Sequence, residues 1–305
     1  MFWLAGCGGC EESILDLGEY LLELNEQTEI LFWPIAADFK YKDLKDMPNN
    51  HIDFSFINGT VRTTEHVSMA KLFRRKSKRI IAHGSCAHLG GVPGLSGFFS
   101  RESLIKKAYE EVPSMADKGE QPDPQKLIEK PSALSHIIDV EYYLPGCPAP
   151  PELLKTAMLS FIADELPEKG TIFGEKKSLC RTCPLIDTRP DHINLKFFQR
   201  VQHVDYSSDR CYLDQGLICM GPVTRGGCNA QCIRANIPCR GCFGPLDNVS
   251  DYGARAVSML SSLIESKNTE EIRSIIDEIP DPAGLFYRYS LASSIIKNID
   301  TGNKI

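Results

Sequence analysis

Twelve cysteines limit what this chain can fold into, and eight of them lie between Cys180 and Cys242. Three CxxC pairs recur, Cys7/Cys10, Cys180/Cys183 and Cys239/Cys242, and Cys228/Cys232 is a near-pair. Cys86, Cys147, Cys211 and Cys219 complete the set. No charged n-region, long apolar h-region or cleavage site precedes Cys7, so the expected compartment is the cytoplasm. Thiols stay reduced there, and dense cysteine points to metal or catalysis rather than disulfides. Twelve thiols divide into three sets of four. Four thiolates are the ligand set of a [4Fe–4S] cluster, and CxxC pairs also serve structural zinc. Soft thiolates favour either one over hard cations.

The first half of the chain alternates apolar runs with amphipathic stretches. "FWLAG" at residues 2–6 reads as a short buried strand. "EESILDLGEYLLEL" follows as a helix with Ile14, Leu17, Leu21 and Leu24 on one face. "EILFWPIA" at residues 29–36, "HIDFSFING", "KRIIAHGS" and "IIDVEYYLPGCP" read as further strands, with a turn at Asn58-Gly59. "TEHVSMAKLFRRK" reads as a helix capped by Thr63 or Thr64. A helical stretch near residues 101–111 is followed by "SMADKGEQPDPQKLIEKPSA", polar and proline-rich, expected to be a surface loop. "PELLKTAMLSFIADEL" is a helix with Pro151 in its first turn. Such alternation predicts an α/β domain with a parallel sheet covered on both faces. Ligands of open sheets of this kind sit beyond the carboxyl ends of the strands. Cys7 and Cys10, Cys86, and Cys147 each follow an expected strand and so share one edge.

Beyond about residue 168 periodicity fades into short segments punctuated by glycine, proline and cysteine. Metal ligation is expected to supply folding energy that such a region lacks. From "RAVSMLSSLIES" helical patterning returns. The expected division is residues 1–167 and residues 168–305. Hydrophobic residues are 42% of the chain and charged residues 24%, as in globular proteins. A net charge of −6 without a long basic block argues against nucleic-acid or anionic-membrane partners. No apolar run approaches a membrane span.

"CGGCEES", "GSCAHLGGVPGL", "LPGCPAPP", "CMGPVTRGGC" and "PCRGC", in this order, resemble the small subunit of [NiFe] hydrogenases. The resemblance runs from residue 5 to about residue 245. "FWPIAADFKYKD" is most similar to the cytosolic, methyl-viologen-reducing and F420-non-reducing group, whose members work with heterodisulfide reductase in methanogenesis. The resemblance implies a flavodoxin-like N-terminal fold without flavin. It implies a proximal [4Fe–4S] cluster on Cys7, Cys10, Cys86 and Cys147. It also implies a distal cluster on Cys180, Cys183, Cys211 and Cys219, and a medial cluster on Cys228, Cys232, Cys239 and Cys242. A large subunit would carry the NiFe site, and an iron–sulfur acceptor would take the electrons. The small subunit of an F420-reducing hydrogenase and the quinone-reducing subunit of complex I are the related alternatives.

Two departures from the periplasmic members matter. They use histidine where this chain has Cys180, and commonly proline at the place of the fourth medial thiolate, here Cys232. Both changes lower the expected reduction potentials, since thiolates bring negative charge to a cluster. The gap from Cys211 to Cys219 is longer than in those members, which leaves the distal and medial division open at Cys219 and Cys228. Glu11 and Glu12 suit the N-terminus of a helix. The resemblance sets the residue at Glu12 near the large subunit, in proton passage or the interface. His83 and His88 flank Cys86, where they either tune a cluster through hydrogen bonds or serve the core. Gly90, Gly91 and Gly94 fit close backbone approach and match no phosphate-binding loop.

Overall fold

Among the described residues six strands form: β1 (Phe2–Trp3), β2 (Ile52–Asn58), β3 (Val61–Thr63), β4 (Ser77–His83), β5 (Leu127–Ser132) and β6 (Tyr142–Leu144). The structure, a computed structural model, describes residues 1–113, 127–279 and 281–298. Four strands make a parallel sheet in the order β1-β2-β4-β6. Its register pairs Phe2 with Ile57, Ile57 with Ala82, and Ala82 with Tyr143. β3 and β5 form a separate antiparallel pair.

Eleven α-helices accompany them among the described residues: α1 (Gly9–Leu15), α2 (Tyr20–Gln27), α3 (Tyr41–Asp46), α4 (Thr64–Lys76), α5 (Gly84–Leu89), α6 (Arg101–Tyr109), α7 (Pro151–Ile162), α8 (Gln231–Arg234), α9 (Tyr252–Ser261), α10 (Thr269–Asp277) and α11 (Pro282–Phe286). The period of two along the strands splits the core between the two faces of the sheet. Ile57, Ile80 and Ala82 join Met69, Ala70, Leu72 and Phe73 of α4 on one side. Ile81, Tyr142 and Leu144 join Ile14 of α1 and Leu154, Ala157, Met158 and Phe161 of α7 on the other. Thr63 caps α4 by accepting the His66 N–H at 3.1 Å, and Arg74, Arg75 and Lys76 fill its last turn.

The chain divides into two units, Met1–Phe173 together with the residues from Tyr289, and Gly174–Arg288. The expected division after residue 167 differs in that the C-terminal residues return to the first unit. There the Gly91 N–H donates to the Tyr289 carbonyl at 3.0 Å, and a Cβ on Gly90 would lie 2.3 Å from that of Ala292. The second unit is mostly irregular, as expected. Fully buried Arg225 ties its loops together through an ion pair with Asp247 and a 3.1 Å bond to the Glu175 carbonyl. Its core gathers Leu179, Tyr212, Leu217, Met220 and Val223 with Tyr252, Ala256 and Leu260 of α9.

Three expectations are corrected. Residues 29–36 form no strand: Phe32 and Trp33 are buried, but Pro34 lacks an N–H and the segment joins no ladder. The helix expected over "EESILDLGEYLLEL" is two helices, broken where Gly18 takes φ +58°. The expected loop over "SMADKGEQPDPQKLIEKPSA" ends in β5; its residues 114–126 lie outside the described residues.

Candidate metal centres

Each thiol of the first unit stands where a parallel strand ends. Cys7 follows β1, and Cys10 lies in the first turn of α1. Cys86 lies in α5, which begins directly after β4, and Cys147 follows β6. The sheet thus brings together four residues far apart in the chain. Their proximity shows in their electrostatics. Burial pushes the Cys10 thiol up to about 12, with Cys86, Cys147 and Cys7 adding to the effect. Burial likewise pushes Cys86 up to about 11, helped by Cys147 and Cys7 and opposed by the Thr60 hydroxyl and the Val92 N–H.

Backbone makes room for these sulfurs at two glycines. A Cβ on Gly84 would lie 2.3 Å from Cys10 Sγ, and one on Gly91 would lie 2.3 Å from Cys86 Sγ. Both glycines have positive φ, +82° and +56°, where an L side chain is strained. Raised this far, the Cys10 and Cys86 thiols stay protonated at neutral pH unless positive charge arrives. A metal supplies that charge and ionises a coordinating thiol outright. Four soft donors, two of which (Cys10 and Cys86) are approached by N–H groups and given room by glycines, fit an iron–sulfur group.

In the second unit Cys180, Cys183 and Cys211 interact with one another, and buried Cys219 interacts with Cys211 and Cys180. Burial pushes Cys219 up to about 12. Cys180 is raised by burial and eased by Arg189, whose Nη1 donates to Cys180 Sγ at 3.4 Å. The Leu185 N–H donates to Cys183 Sγ at 3.4 Å. Cys228 is raised by burial, with the N–H groups of Ala230 and Gln231 opposing and Cys232 adding. Burial raises Cys239 well above the usual thiol range, with Cys219 and then Cys242 contributing. Cys219 thus faces both Cys211 and Cys239, the place where the sequence left the division open. Among the described residues no group of three or more His, Cys, Asp or Glu is arranged to hold a single metal ion.

The two glutamates after Cys10 part company. Glu12 is exposed, whereas Glu11 is 4% exposed and accepts from Trp33 Nε1 and from Asn58 Nδ2 at 2.7 Å. Their shared place at a helix start does not separate them. A signal was nonetheless present: Glu11 stands three residues before Ile14, on the apolar stripe of α1. His83 is fully buried against Phe56, and neither ring nitrogen has a hydrogen-bond partner among the described residues. His88 packs on Tyr143 with ring centroids 4.8 Å apart. Of the three glycines, Gly91 faces Cys86, while Gly90 and Gly94 face Ala292.

A parallel sheet with thiols gathered at its carboxyl edge defines the class. Residues 7–161 match the family described as NADH ubiquinone oxidoreductase, 20 Kd subunit. A [NiFeSe]-hydrogenase chain from Dm. baculatum shares the fold at a TM-score of 0.53 and 17% identity, over 81% of this chain and 94% of that one. Another, from Desulfovibrio vulgaris Hildenborough, does so at 0.52 and 18%, over 81% and 93%. Within that class the nearer likeness is in sequence. The iron-sulfur subunit of the F420-non-reducing hydrogenase of Archaeoglobus profundus is 35% identical over 96% of this chain and 95% of its own length. A vhu subunit of the F420-non-reducing hydrogenase of Methanocaldococcus jannaschii is 34% identical over 97% and 95%. The chain belongs to the family of [NiFe] hydrogenase small subunits, in its F420-non-reducing group. It is one subunit of an oxidoreductase, and its family and cysteine-rich second unit point to iron–sulfur clusters. No described helix is long and apolar enough to cross a membrane.

Proposed function

We propose that the chain is the electron-transfer subunit of a cytoplasmic [NiFe] hydrogenase. It takes electrons from hydrogen oxidised on a separate large subunit and delivers them to an iron–sulfur acceptor linked to heterodisulfide reductase. Three [4Fe–4S] clusters would be held: the proximal by Cys7, Cys10, Cys86 and Cys147, the distal by Cys180, Cys183, Cys211 and Cys219, and the medial by Cys228, Cys232, Cys239 and Cys242. When bound, such clusters supply one-electron redox centres.

One observation carries this reading: four thiols from the ends of three parallel strands interact at one sheet edge, beside glycines that leave space for sulfur. The chain's own residues do the remaining work. Thiolates fix each group in place. N–H donors at the sulfurs, such as Leu185 toward Cys183, offset thiolate charge and raise a potential. Burial of Cys219 and Cys239 keeps water out. Glu12, exposed beside the proximal thiols, is assigned to proton passage or the large-subunit interface. The test is iron, zinc and acid-labile sulfide analysis of the intact complex, with EPR under hydrogen. About twelve irons and about twelve sulfides per chain, reduced by hydrogen, are expected. Two or three zincs without sulfide refute the reading.

A further inference from the structure

We propose that a cavity beside Cys239 is the docking socket for an acidic, carboxylate-bearing segment of the protein that accepts electrons from this chain. The proposal rests on the electron-transfer reading above. The cavity, of about 300 Å³, lies in the second unit, with Arg200, Arg240 and Arg288 in its wall. Among the described residues none of these three guanidinium groups has a hydrogen-bond or ion-pair partner. Asp281 is the one carboxylate in the wall, and its Oδ1 already accepts the Gly284 N–H at 2.9 Å as the N-cap of α11. The wall is therefore locally positive in a chain whose net charge is −6. Arginine forks turned on a concavity without acceptors of their own are suited to planar oxyanions, which they bind two-pronged.

Phosphates and carboxylates both meet that description, and the surroundings favour a protein carboxylate. Phe198, Met220 and Leu285 line the same cavity. Phe197, next to Phe198, is 44% exposed, and Ile237, next to the wall residue Pro238, is 40% exposed. Arginine, aromatic and methionine side chains together make up the cores of protein interfaces. Phosphate sites commonly add a glycine-rich loop or an open helix N-terminus. Here the start of α11 is closed by Asp281, whose charge repels a phosphate dianion more than a single carboxylate. Cys239, assigned to the medial cluster, lines the cavity, and so do Ile218 and Met220 on either side of Cys219, assigned to the distal cluster, so a protein seated there lies against residues next to both. Elsewhere the acidic chain repels an acidic partner, and the socket gives the approach one favourable orientation.

The experiment uses the intact hydrogenase complex, with a small acidic ferredoxin as the probe and methyl viologen as the reference acceptor. Hydrogen-dependent reduction of both is measured for wild type, for the double variant Arg200→Glu/Arg288→Glu and for Arg200→Lys/Arg288→Lys. Iron per chain serves as the folding control. The charge-reversed variant is expected to raise the ferredoxin KM at least about tenfold and to lower the ratio of ferredoxin to viologen rates. Added salt should raise the wild-type KM steeply and that of the charge-reversed variant little. The lysine variant should fall between the two. A ferredoxin KM within about twofold of wild type in the charge-reversed complex overturns the proposal. So does inorganic pyrophosphate binding that the reversal abolishes without competing with ferredoxin. If hydrogen fails to reduce iron–sulfur signals in the wild-type complex, the underlying reading falls first, independently of any variant.

Discussion

Gly84→Ala is expected to cost the protein its proximal cluster while leaving the second unit loaded. The added Cβ would meet Cys10 Sγ at 2.3 Å and the Gly146 carbonyl oxygen at 3.5 Å. Non-bonded heavy atoms settle about 3.5–4 Å apart, so the sulfur must retreat by about 1.2 Å or more. It has little freedom to do so, because Cys10 sits in the first turn of α1 and the Ala149 N–H approaches its sulfur. The backbone adds its own penalty: φ is +82°, where an alanine costs about 1–2 kcal/mol more than glycine. Overpacking adds about 1–3 kcal/mol, for a total of about 2–5 kcal/mol concentrated on one ligand.

The control is Gly170→Ala, where φ is +93° but no atom lies within 4 Å of the added carbon. That variant carries the backbone penalty alone, about 1–2 kcal/mol. Iron and sulfide per chain and the reduced-state EPR spectrum should separate the two. Gly84→Ala should lose about four of about twelve irons and one spectral component. Gly170→Ala should lose none and show only a lowered Tm. Full iron with an unchanged spectrum in Gly84→Ala would refute the claim that this glycine clears space for a ligand sulfur.

Three further outcomes are expected. Cys232→Pro places proline in the first turn of α8, where the ring is tolerated, and should give a three-iron medial centre of raised potential; an unchanged reduced-state EPR spectrum removes Cys232 from the ligands. Glu11→Gln leaves Trp33 Nε1 or Asn58 Nδ2 without its acceptor and should destabilise by about 1–3 kcal/mol, whereas exposed Glu12→Gln should stay within about 0.5 kcal/mol; equal Tm shifts contradict the buried placement of Glu11. Burial holds His83 down at about 3, while the unfolded chain protonates near 6.5. Between those values the unfolded state binds the extra proton, so stability falls as pH drops, by about 1.4 kcal/mol per unit below 6.5. His83→Leu should remove that part of the slope, seen as a smaller Tm loss from pH 7 to pH 5.5; identical losses in both proteins dismiss it.

Much of the first unit was legible because its physics is periodic. Ile57, Ile80, Ile81 and Ala82 alternate between two cores, and α4 carries a cap and a basic end at the expected places. The failures have local causes. Phe32 and Trp33 read as a strand because they are apolar, but burial beside a sheet differs from membership of it. β5 was missed because "LIEKPS" is polar and holds Pro131, so it lacks the alternation that marks a half-buried strand. The break at Gly18 was visible as a glycine and overridden by the stripe of leucines around it. The return of the C-terminal residues to the first unit rests on Gly91 meeting Tyr289 and Gly90 meeting Ala292, pairings that no spacing in the sequence encodes.

The thiols were legible for a different reason. A candidate ligand's identity is written in one residue, whereas a fold is written in patterns, so paired cysteines stand out without any periodicity. What the sequence does not carry is the environment of each sulfur. Cys10 and Cys86 are held protonated by burial and by the neighbouring thiols Cys147 and Cys7, so their ionisation must await a cation. Cys180 instead has Arg189 at 3.4 Å and the Leu185 N–H near its neighbour Cys183. Donors at the sulfurs raise a cluster's potential and extra thiolate charge lowers it. On a cluster held as proposed, the thiolate of Cys180 and the arginine beside it would act in opposite directions. Removing Arg189 while keeping Cys180 should move that potential downward, and this would set the group's drive toward an acceptor without a change of ligand.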